Sequence, residues 1–352
     1  MRLSFQTAQL KAAYAAAAAA IPTRTTKDIL KCVLLQSTQH GCRLIGGDSD
    51  LIVSASLPAQ EQLGEILLPT VLGQILRETV AETIELVASE GRLIVNASGS
   101  RFTLTTGDAA EYPPPPEPAG ESRSILGGTL AAAIDATIHA VDNESTRYAL
   151  ACVAIDGDSV VATDARRLAI YSLPEAITTQ QIKVPAKAAN ILRRAFATLD
   201  HVEIRTDGNT ATFATDTLSV YCRLLEGRFP KWQAVIPSDW QITTSVSVGD
   251  LLRAVRLTAA TTDKDDLSVT LAITPEAIRL RSSGTSGEGE QDVACHSDGV
   301  VTLRVGAHYL AQALTTFPAD HVVTIRAIDA DTAIMLDLAC VRQIIMPLST
   351  PD

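Results

Sequence analysis

Three Ala- and Leu-rich stretches with the apolar spacing of a helix recur along the chain at nearly equal intervals. Leu10, Leu130 and Leu251 mark corresponding positions in these stretches, and they stand 120 and 121 residues apart. Regular self-similarity of this kind is typical of a fold built from repeated units. The pattern therefore predicts one helix near the start of each third of the chain.

A second helical pattern follows in each third. It opens at Pro69, Pro185 and Gly306, and proline is favoured in the first turn of a helix because that turn needs no N–H partner. In the second third, apolar residues recur on one face of the predicted helix at Ile191, Leu192, Ala195, Phe196 and Leu199. The chain therefore repeats with a period of about one third of its length.

Alternating apolar and polar residues after each second helix predict a pair of antiparallel strands. The predicted pairs are 84–87 with 92–95, 201–205 with 211–214, and 322–327 with 332–336. Short turns rich in Asp, Gly and Asn separate the two members of each pair, as in β-hairpins. Each third thus contains two helices and several antiparallel strands, which indicates an α+β fold in which helices cover sheets.

Proline-rich and turn-rich segments give the expected boundaries. Prolines 113–116 cannot continue a helix or a central strand, so we place the end of the first domain near residue 118. A second boundary follows Pro237. The predicted domains are therefore 1–118, 119–239 and 240–352.

The chain has 352 residues, a formal net charge of -11 and 46% hydrophobic residues. No apolar run is long enough for a membrane helix, and residues 1–5 lack the apolar segment of a secretory signal. The six cysteines show no metal-binding spacing, so we expect reduced thiols, no metal and a cytoplasmic protein. An acidic total argues against a nucleic-acid partner unless positive charge is concentrated locally.

The sequence contains no motif of a known catalytic site. It has no phosphate-binding loop with lysine, no nucleophile elbow and no paired metal-binding histidines. Residues 282–290 are Gly-rich but acidic, which favours an exposed loop or an irregular strand over a phosphate site. We expect a protein that is not an enzyme and needs no cofactor. An unrelated enzyme on a repeated α+β framework is one alternative.

Several ordered motifs resemble those of one protein family. They are residues 161–169 (VATDARRLA), preceded by 147–150 (RYAL) and followed by 226–230 (EGRFP), with 100–104 (SRFTL) and 344–348 (IIMPL) towards the ends. Together they resemble the bacterial sliding clamp, the β subunit of DNA polymerase III. The resemblance covers the whole chain and includes the threefold repeat.

The resemblance implies three clamp domains, each with two helices packed on antiparallel sheets, and a ring formed by a head-to-tail homodimer. Such a ring encircles double-stranded DNA without sequence specificity and tethers a DNA polymerase, an ATP-dependent clamp loader and other proteins that carry clamp-binding peptides. The function implied is that of a processivity factor. A clamp-fold scaffold that binds peptides but does not encircle DNA is the second alternative.

In such a ring the helices line the hole and should be less acidic than the rest of the chain. The six predicted helices carry a summed charge of +4, against -15 for the remainder. Weak positive charge suits contact with phosphates that permits sliding. The residues expected to face DNA, from the resemblance and from this charge pattern, are Arg24, Tyr148, Lys187, Arg193, Arg194, Arg253 and Arg256.

The resemblance also implies a hydrophobic pocket for partner peptides and a subunit interface. The pocket residues would be Leu150, Thr163, Ala165, Arg166, Arg167, Leu168, Pro230, Val235, Ile344, Met346, Pro347 and Leu348. The interface residues would be Phe102, Leu104, Ala259 and Ala260. The family commonly has Gly-His at Ala165-Arg166 and lacks the tail of residues 349–352, so we expect altered peptide preferences. The small residues at Ala259 and Ala260 suggest a weaker dimer.

Overall fold

The structure is a computed structural model, and it describes residues 1–89, 91–142, 148–263 and 266–349. The chain forms two compact units, each built from two separate segments. Unit 1 comprises Met1–Ala131 and Lys187–Leu225, and unit 2 comprises Ala132–Ala186 and Glu226–Asp352. The division into three domains at residues 118 and 239 stays a prediction.

Within the described ranges, each third of the chain has the same order of elements: one strand, a helix, four strands, a second helix and three strands. The helices are α1 (Thr7–Ala18), α2 (Val71–Glu78), α3 (Gly127–Thr137), α4 (Ala186–Ala195), α5 (Val248–Thr258) and α6 (Ala307–Leu314). The two helices that the sequence predicts in each third are therefore confirmed. Pro185 ends a strand and Pro69 precedes α2 by two residues, so both prolines lie before their helices rather than inside the first turn.

The strands of the first third are β1 (Arg2–Gln6), β2 (Val33–Thr38), β3 (Gly41–Gly47), β4 (Leu51–Leu57), β5 (Gly64–Leu68), β6 (Thr83–Ser89), β7 (Arg92–Ala97) and β8 (Ser100–Thr105). Those of the second are β9 (Glu121–Leu126), β10 (Cys152–Asp156), β11 (Ser159–Thr163), β12 (Arg167–Ser172), β13 (Ile182–Pro185), β14 (His201–Thr206), β15 (Thr210–Ala214) and β16 (Leu218–Arg223). Those of the third are β17 (Ile242–Ser247), β18 (Ser268–Ile273), β19 (Ala277–Gly284), β20 (Gly287–Ser297), β21 (Val301–Gly306), β22 (Val322–Ala327), β23 (Ile334–Leu338) and β24 (Val341–Ile345).

Among the described strands, two antiparallel sheets lie in unit 1 and one lies in unit 2. Unit 1 has a sheet in the order β1-β6-β7-β8 and an eight-stranded sheet in the order β5-β2-β3-β4-β16-β15-β14-β9. Unit 2 has a twelve-stranded sheet in the order β13-β10-β11-β12-β24-β23-β22-β17-β20-β19-β18-β21. The three predicted hairpins are confirmed as β6–β7, β14–β15 and β22–β23.

The helices bury one apolar face against these sheets. In α5, Leu251 and Val255 are fully buried one turn apart, and in α6 Leu310 and Leu314 repeat this spacing. All four belong to one core cluster with strand residues of unit 2. The Ser247 hydroxyl accepts a hydrogen bond of 3.3 Å from the Asp250 N–H and thereby caps the start of α5. Apolar spacing and caps thus explain where these helices form.

The Gly-rich segment at 282–290 is a regular hairpin between β19 and β20, so the expected loop or irregular strand is wrong, whereas its expected exposure is confirmed for most of its residues. Its turn lies at Thr285, whose N–H and hydroxyl donate to the Asp263 carboxylate, the hydroxyl over 2.6 Å. A Cβ at Gly284 would lie 2.3 Å from the Thr261 carbonyl oxygen. Glycine is required there because the hairpin crosses the neighbouring backbone closely.

Ala339, in the turn between β23 and β24, has a φ of 54°, which is the left-handed region. Alanine is strained there, whereas glycine is not. We expect Ala339→Gly to raise the free energy of unfolding by about 0.5 kcal/mol, since strain relief exceeds the entropy cost of glycine. Urea unfolding followed by circular dichroism measures the change.

Ala294→Gly is the matched control, because Ala294 is an exposed strand residue of β20 outside the left-handed region. We expect it to lower stability by about 0.5 kcal/mol. Equal destabilisation by both substitutions would contradict the assignment of strain to Ala339.

Candidate partner-binding site

A tight turn between β11 and β12 forms the centre of the predicted pocket. The Asp164 carboxylate accepts hydrogen bonds of 3.0 Å from the N–H groups of both Arg166 and Arg167. The Thr163 hydroxyl donates to the Arg167 carbonyl oxygen over 2.6 Å. Ala165, at the tip, has a φ of 70° and is exposed. These bonds hold the tip in one conformation and present Ala165 and Arg166 to solvent.

Antiparallel pairing brings the C-terminal strand against this turn. Leu168 of β12 lies opposite Ile344 of β24, and both are 3% exposed. The Met346 N–H donates to the Arg166 carbonyl oxygen over 2.9 Å, while 45% of Met346 is exposed. Residues from two distant parts of the sequence thus form one apolar floor with an exposed methionine at its rim. Such a surface suits varied apolar peptide side chains.

Arg167 is the most constrained side chain of the site. Its guanidinium pairs with the Asp164 carboxylate at 3.0 Å, and the two side chains are 10% and 15% exposed. It also donates to the His139 carbonyl oxygen and to the Gln312 side chain, and it lies 4.6 Å from the centre of the Tyr309 ring. Arg167 therefore connects the turn to α6.

Tyr309 and Gln312 are absent from the sequence-based prediction of the site. Both lie on α6 and stand three residues apart, so they share one helix face. This spacing was the only sign in the sequence that the two residues act together. Their contact with Arg167 arises from the fold, which brings this face of α6 to the turn. Gln343 of β24, which is 2% exposed, donates to the Ala136 carbonyl oxygen over 2.8 Å and fixes the strand from its other face.

The remaining predicted pocket residues lie in the same compact unit. Leu150 is buried, whereas Val235 is 57% exposed at the end of the 3-10 turn Trp232–Val235. This turn follows the exposed Pro230 and is held by Trp232, whose indole N–H donates to the Asp156 carboxylate over 3.0 Å. After the half-buried Pro347, the Leu348 N–H donates to the Arg304 carbonyl oxygen over 2.7 Å.

The predicted DNA-facing residues differ in their surroundings. Arg24, Arg194 and Arg256 are exposed, and the exposed Arg253 pairs with Asp250 at 3.0 Å. Arg193 donates to the Asn190 side chain over 3.0 Å. The Lys187 ammonium donates to the Ala20 and Ile21 carbonyl oxygens just beyond α1. The side chain of Tyr148, and residues 350–352 of the predicted tail, lie outside the described residues.

The predicted interface residues lie on or beside strand edges that pair with no other described strand. Phe102, 39% exposed, and Leu104 are on β8, which ends its sheet. Ala259 and Ala260 are in the 3-10 turn Ala259–Thr261, beside the β19–β20 hairpin. β20 pairs with β17 only at 295–297, so among the described strands none pairs with that edge between residues 287 and 294. Unpaired edges of this kind are templates for another strand.

The described part of the chain supports neither a metal site nor a membrane-spanning helix. Among those residues, no cluster of three or more His, Cys, Asp or Glu side chains could hold a metal ion. The described helices include none that is both long and apolar enough to cross a membrane.

Comparison with known protein families shows to which family the chain belongs. The model of the DNA polymerase III beta subunit N-terminal domain matches residues 1–116, and the model of the central domain matches residues 125–231. The chain belongs to the DNA polymerase III β subunit family, the bacterial sliding clamps. This membership confirms the resemblance seen in the sequence and makes the chain a relative of DNA replication proteins.

Individual clamps are similar over most of their length. The beta sliding clamps of Staphylococcus epidermidis and Staphylococcus aureus are 24% identical to the chain, with 86% of each protein covered. A sliding clamp of Pseudomonas aeruginosa, solved with bound griselimycin, has a TM-score of 0.93 at 24% identity and covers 99% of this chain. The Bacillus subtilis clamp has a TM-score of 0.91 at 22% identity, with full coverage of both chains. The sliding-clamp fold extends over all three thirds of the chain.

Removal of Arg167 should test whether it holds the site together. We expect Arg167→Ala to lower the free energy of unfolding by about 3 kcal/mol, because the Asp164 carboxylate would remain buried without its partner. Urea unfolding measures the loss. Arg281→Ala is the control: the ion pair of Arg281 with Glu290 is about half exposed, and its loss should cost less than about 1 kcal/mol. Similar losses for both variants would contradict the structural role of Arg167.

His139 should make the fold sensitive to acid. Burial, and then repulsion from Arg167, lowers the pKa of His139 to about 4, and neither ring nitrogen has a hydrogen-bond partner among the described residues. The unfolded state binds a proton near pH 6.5 and the native state does not, so stability should fall as pH drops from 6.5 towards 4.

The His139 contribution to this slope is at most about 1.4 kcal/mol per pH unit. We expect His139→Leu to reduce the slope in urea unfolding series between pH 6.5 and 4. His296→Leu, at an exposed position, is the control and should leave the slope unchanged. An equal slope in the His139 variant and the unmodified protein would exclude this histidine as the cause.

Proposed function

We propose that the chain is a DNA sliding clamp in the full sense: a processivity factor that closes as a head-to-tail homodimer around double-stranded DNA. In this proposal it is a cytoplasmic accessory subunit without a catalytic site or cofactor. It tethers a DNA polymerase and receives an ATP-dependent clamp loader and other peptide-carrying proteins. The observation that carries the proposal is the sliding-clamp fold over the whole chain, with TM-scores near 0.9.

The two unpaired edges support head-to-tail pairing. β8 belongs to unit 1 and the free part of β20 belongs to unit 2, so each copy offers two different edges to another copy. A contact between unlike surfaces closes into a ring when the rotation between copies permits it. The charges are complementary, since β8 carries Arg101 and β20 carries Glu288. Pairing of β8 with β20 therefore gives hydrogen-bond partners to the backbone groups of both edges.

The helix residues support weak contact with DNA. Arg194 and Arg256 are exposed on α4 and α5, on helix faces opposite the buried Leu192 and Leu251. Exposed arginines on helices attract phosphates without reading bases. Few such contacts hold the ring loosely, so retention on DNA depends on closure rather than affinity. This favours a protein that slides.

The constrained turn at Asp164 and the exposed Met346 support peptide docking in unit 2. The turn and β24 are joined by backbone hydrogen bonds, so the site needs little ordering on binding. Arg166 and Arg167 outnumber Asp164 and make this rim basic. Burial, and then repulsion from Arg167, lowers the pKa of the neighbouring His308. An apolar peptide residue beside an acidic one would complement this surface.

The subunit contact gives the decisive test. At micromolar concentration we expect sedimentation equilibrium to give twice the chain mass of 37.3 kDa, and small-angle scattering to fit a hollow ring. Phe102→Asp should produce monomers, because it places a charge at the β8 edge. The same variant should lose retention on nicked circular DNA after loading.

Val80→Asp is the matched control, since Val80 is 96% exposed and lies outside β8 and β20. It should remain dimeric and retained on DNA. A monomer at every concentration for the unmodified protein would overturn the ring and leave the peptide-binding scaffold as the function.

A further inference from the structure

Unit 1 contains a cavity of about 430 Å³ on its eight-stranded sheet. Leu34, Ile52, Tyr112 and Tyr221 line it, and all four pack in or against one small apolar cluster. The proline segment at 114–118 forms one wall. A volume of this size falls within the range of small ligand sites.

The backbone around the cavity has the same hydrogen bonds as the backbone around the proposed peptide site of unit 2. The Asp48 carboxylate accepts hydrogen bonds of 3.0 and 3.1 Å from the N–H groups of Asp50 and Leu51. The Asp164 carboxylate makes the same two bonds to Arg166 and Arg167. Asp48 therefore corresponds to Asp164, and Asp50 corresponds to Arg166.

The neighbouring strand is joined in the same way in both units. β4 pairs with β16 in unit 1 as β12 pairs with β24 in unit 2. The Arg223 N–H donates to the Asp50 carbonyl oxygen over 2.8 Å, and the Met346 N–H donates to the Arg166 carbonyl oxygen over 2.9 Å. Tyr221, on the cavity wall, thus takes the place of Ile344.

A 3-10 turn also closes each site. Tyr112 directly follows the turn Ala109–Glu111, and its N–H donates to the Ala109 carbonyl oxygen. Ile236 directly follows the turn Trp232–Val235 and bonds to the Gln233 carbonyl oxygen in the same way. The aspartate turn, the strand pair and the 3-10 turn of unit 2 therefore all have counterparts in unit 1. The cavity thus occupies the place in unit 1 that the peptide site occupies in unit 2.

The charge at the rim is reversed between the two sites. Asp50 stands where Arg166 stands, and both are exposed. The charged residues among those that line the cavity are Arg43, Glu65 and Glu117. The Arg43 guanidinium is engaged by the Gln36 side chain at 2.9 Å, and Gln36 in turn donates to Glu65. Asp50 itself lies outside this lining, beside the exposed Arg223, which takes the place of Met346. The lining is acidic on balance because of Glu65 and Glu117, whereas the rim in unit 2 is basic.

We propose that this cavity is a second peptide-binding site, which takes a short extended peptide with an apolar side chain next to a lysine or arginine. The apolar side chain packs between Tyr112 and Tyr221, and the basic residue lies against the exposed Glu117 of the proline wall. This proposal rests on the proposed peptide docking in unit 2. The two sites would then sort partner peptides by charge.

Two fluorescein-labelled, amidated pentapeptides test the proposal on the full chain: Ala-Leu-Lys-Leu-Phe and Ala-Leu-Asp-Leu-Phe. Fluorescence anisotropy titrations should show saturable binding of both. Ser219→Trp fills the unit 1 cavity, since Ser219 lines it. We expect it to lower the affinity for the lysine peptide by about tenfold or more and to leave the affinity for the aspartate peptide unchanged.

Glu117→Arg is the second variant and changes an exposed residue of the proline segment, so it avoids the folding risk of a tryptophan in the sheet. It should lower the affinity for the lysine peptide by about threefold, because the substitution removes the attraction of the carboxylate for the lysine and adds the repulsion of an arginine. Met346→Asp is the matched variant for unit 2, and it should weaken the aspartate peptide only. Circular dichroism melting checks that each variant is folded.

The outcomes separate the two proposals. If lysine-peptide binding does not respond to Ser219→Trp and Glu117→Arg, the second site is overturned. If it responds to Met346→Asp instead, docking in unit 2 stands. If the lysine peptide responds as expected while the aspartate peptide does not bind, the second site stands and docking in unit 2 fails. Absence of saturable lysine-peptide binding overturns the second site.

Discussion

The site in unit 2 and the cavity in unit 1 both depend on one type of interaction, the antiparallel pairing of β4 with β16 and of β12 with β24. Each pair joins two sequence-distant strands into one continuous sheet. Because the pairing is antiparallel and in register, it also fixes which side chains meet across the junction. Leu168 meets Ile344 only because Arg167 pairs with Ile345. A slip of one residue would place Leu168 and Ile344 on opposite faces of the sheet.

Local pattern was sufficient to predict most elements. The paired alternating runs became hairpins because their polar and apolar positions matched one buried sheet face, as in β14, where Val202 and Ile204 are buried. The helices followed their apolar stripes for the same reason. The Gly-rich segment at 282–290 misled prediction, because Gly284 and Gly289 serve the close approach of Thr261 rather than a loose chain. Local sequence carries no sign of such an approach.

The site was predicted only in part from the sequence. The family motifs located Asp164 to Leu168 and Ile344 to Leu348, and the structure joins these two segments directly. The motifs did not locate Tyr309 or Gln312, since their role arises from the position of α6 beside Arg167. The unit 1 cavity was not predicted either. Its likeness to unit 2 lies in backbone N–H groups that donate to the Asp48 and Asp164 carboxylates, while the residues around these two aspartates differ.

Comparison of the two units gives an internal control for Arg167. Leu51 holds the corresponding position in unit 1 and is 6% exposed, so the same turn forms around an apolar side chain. A buried ion pair rarely stabilises a fold more than a hydrophobic residue of similar size, because desolvation offsets the attraction. The turn itself therefore does not require arginine. What Arg167 adds is its set of bonds to His139, Gln312 and Tyr309, which fixes the rim of the unit 2 site relative to α6. The position of Arg167 is thus better explained by the geometry of the proposed peptide site than by stability.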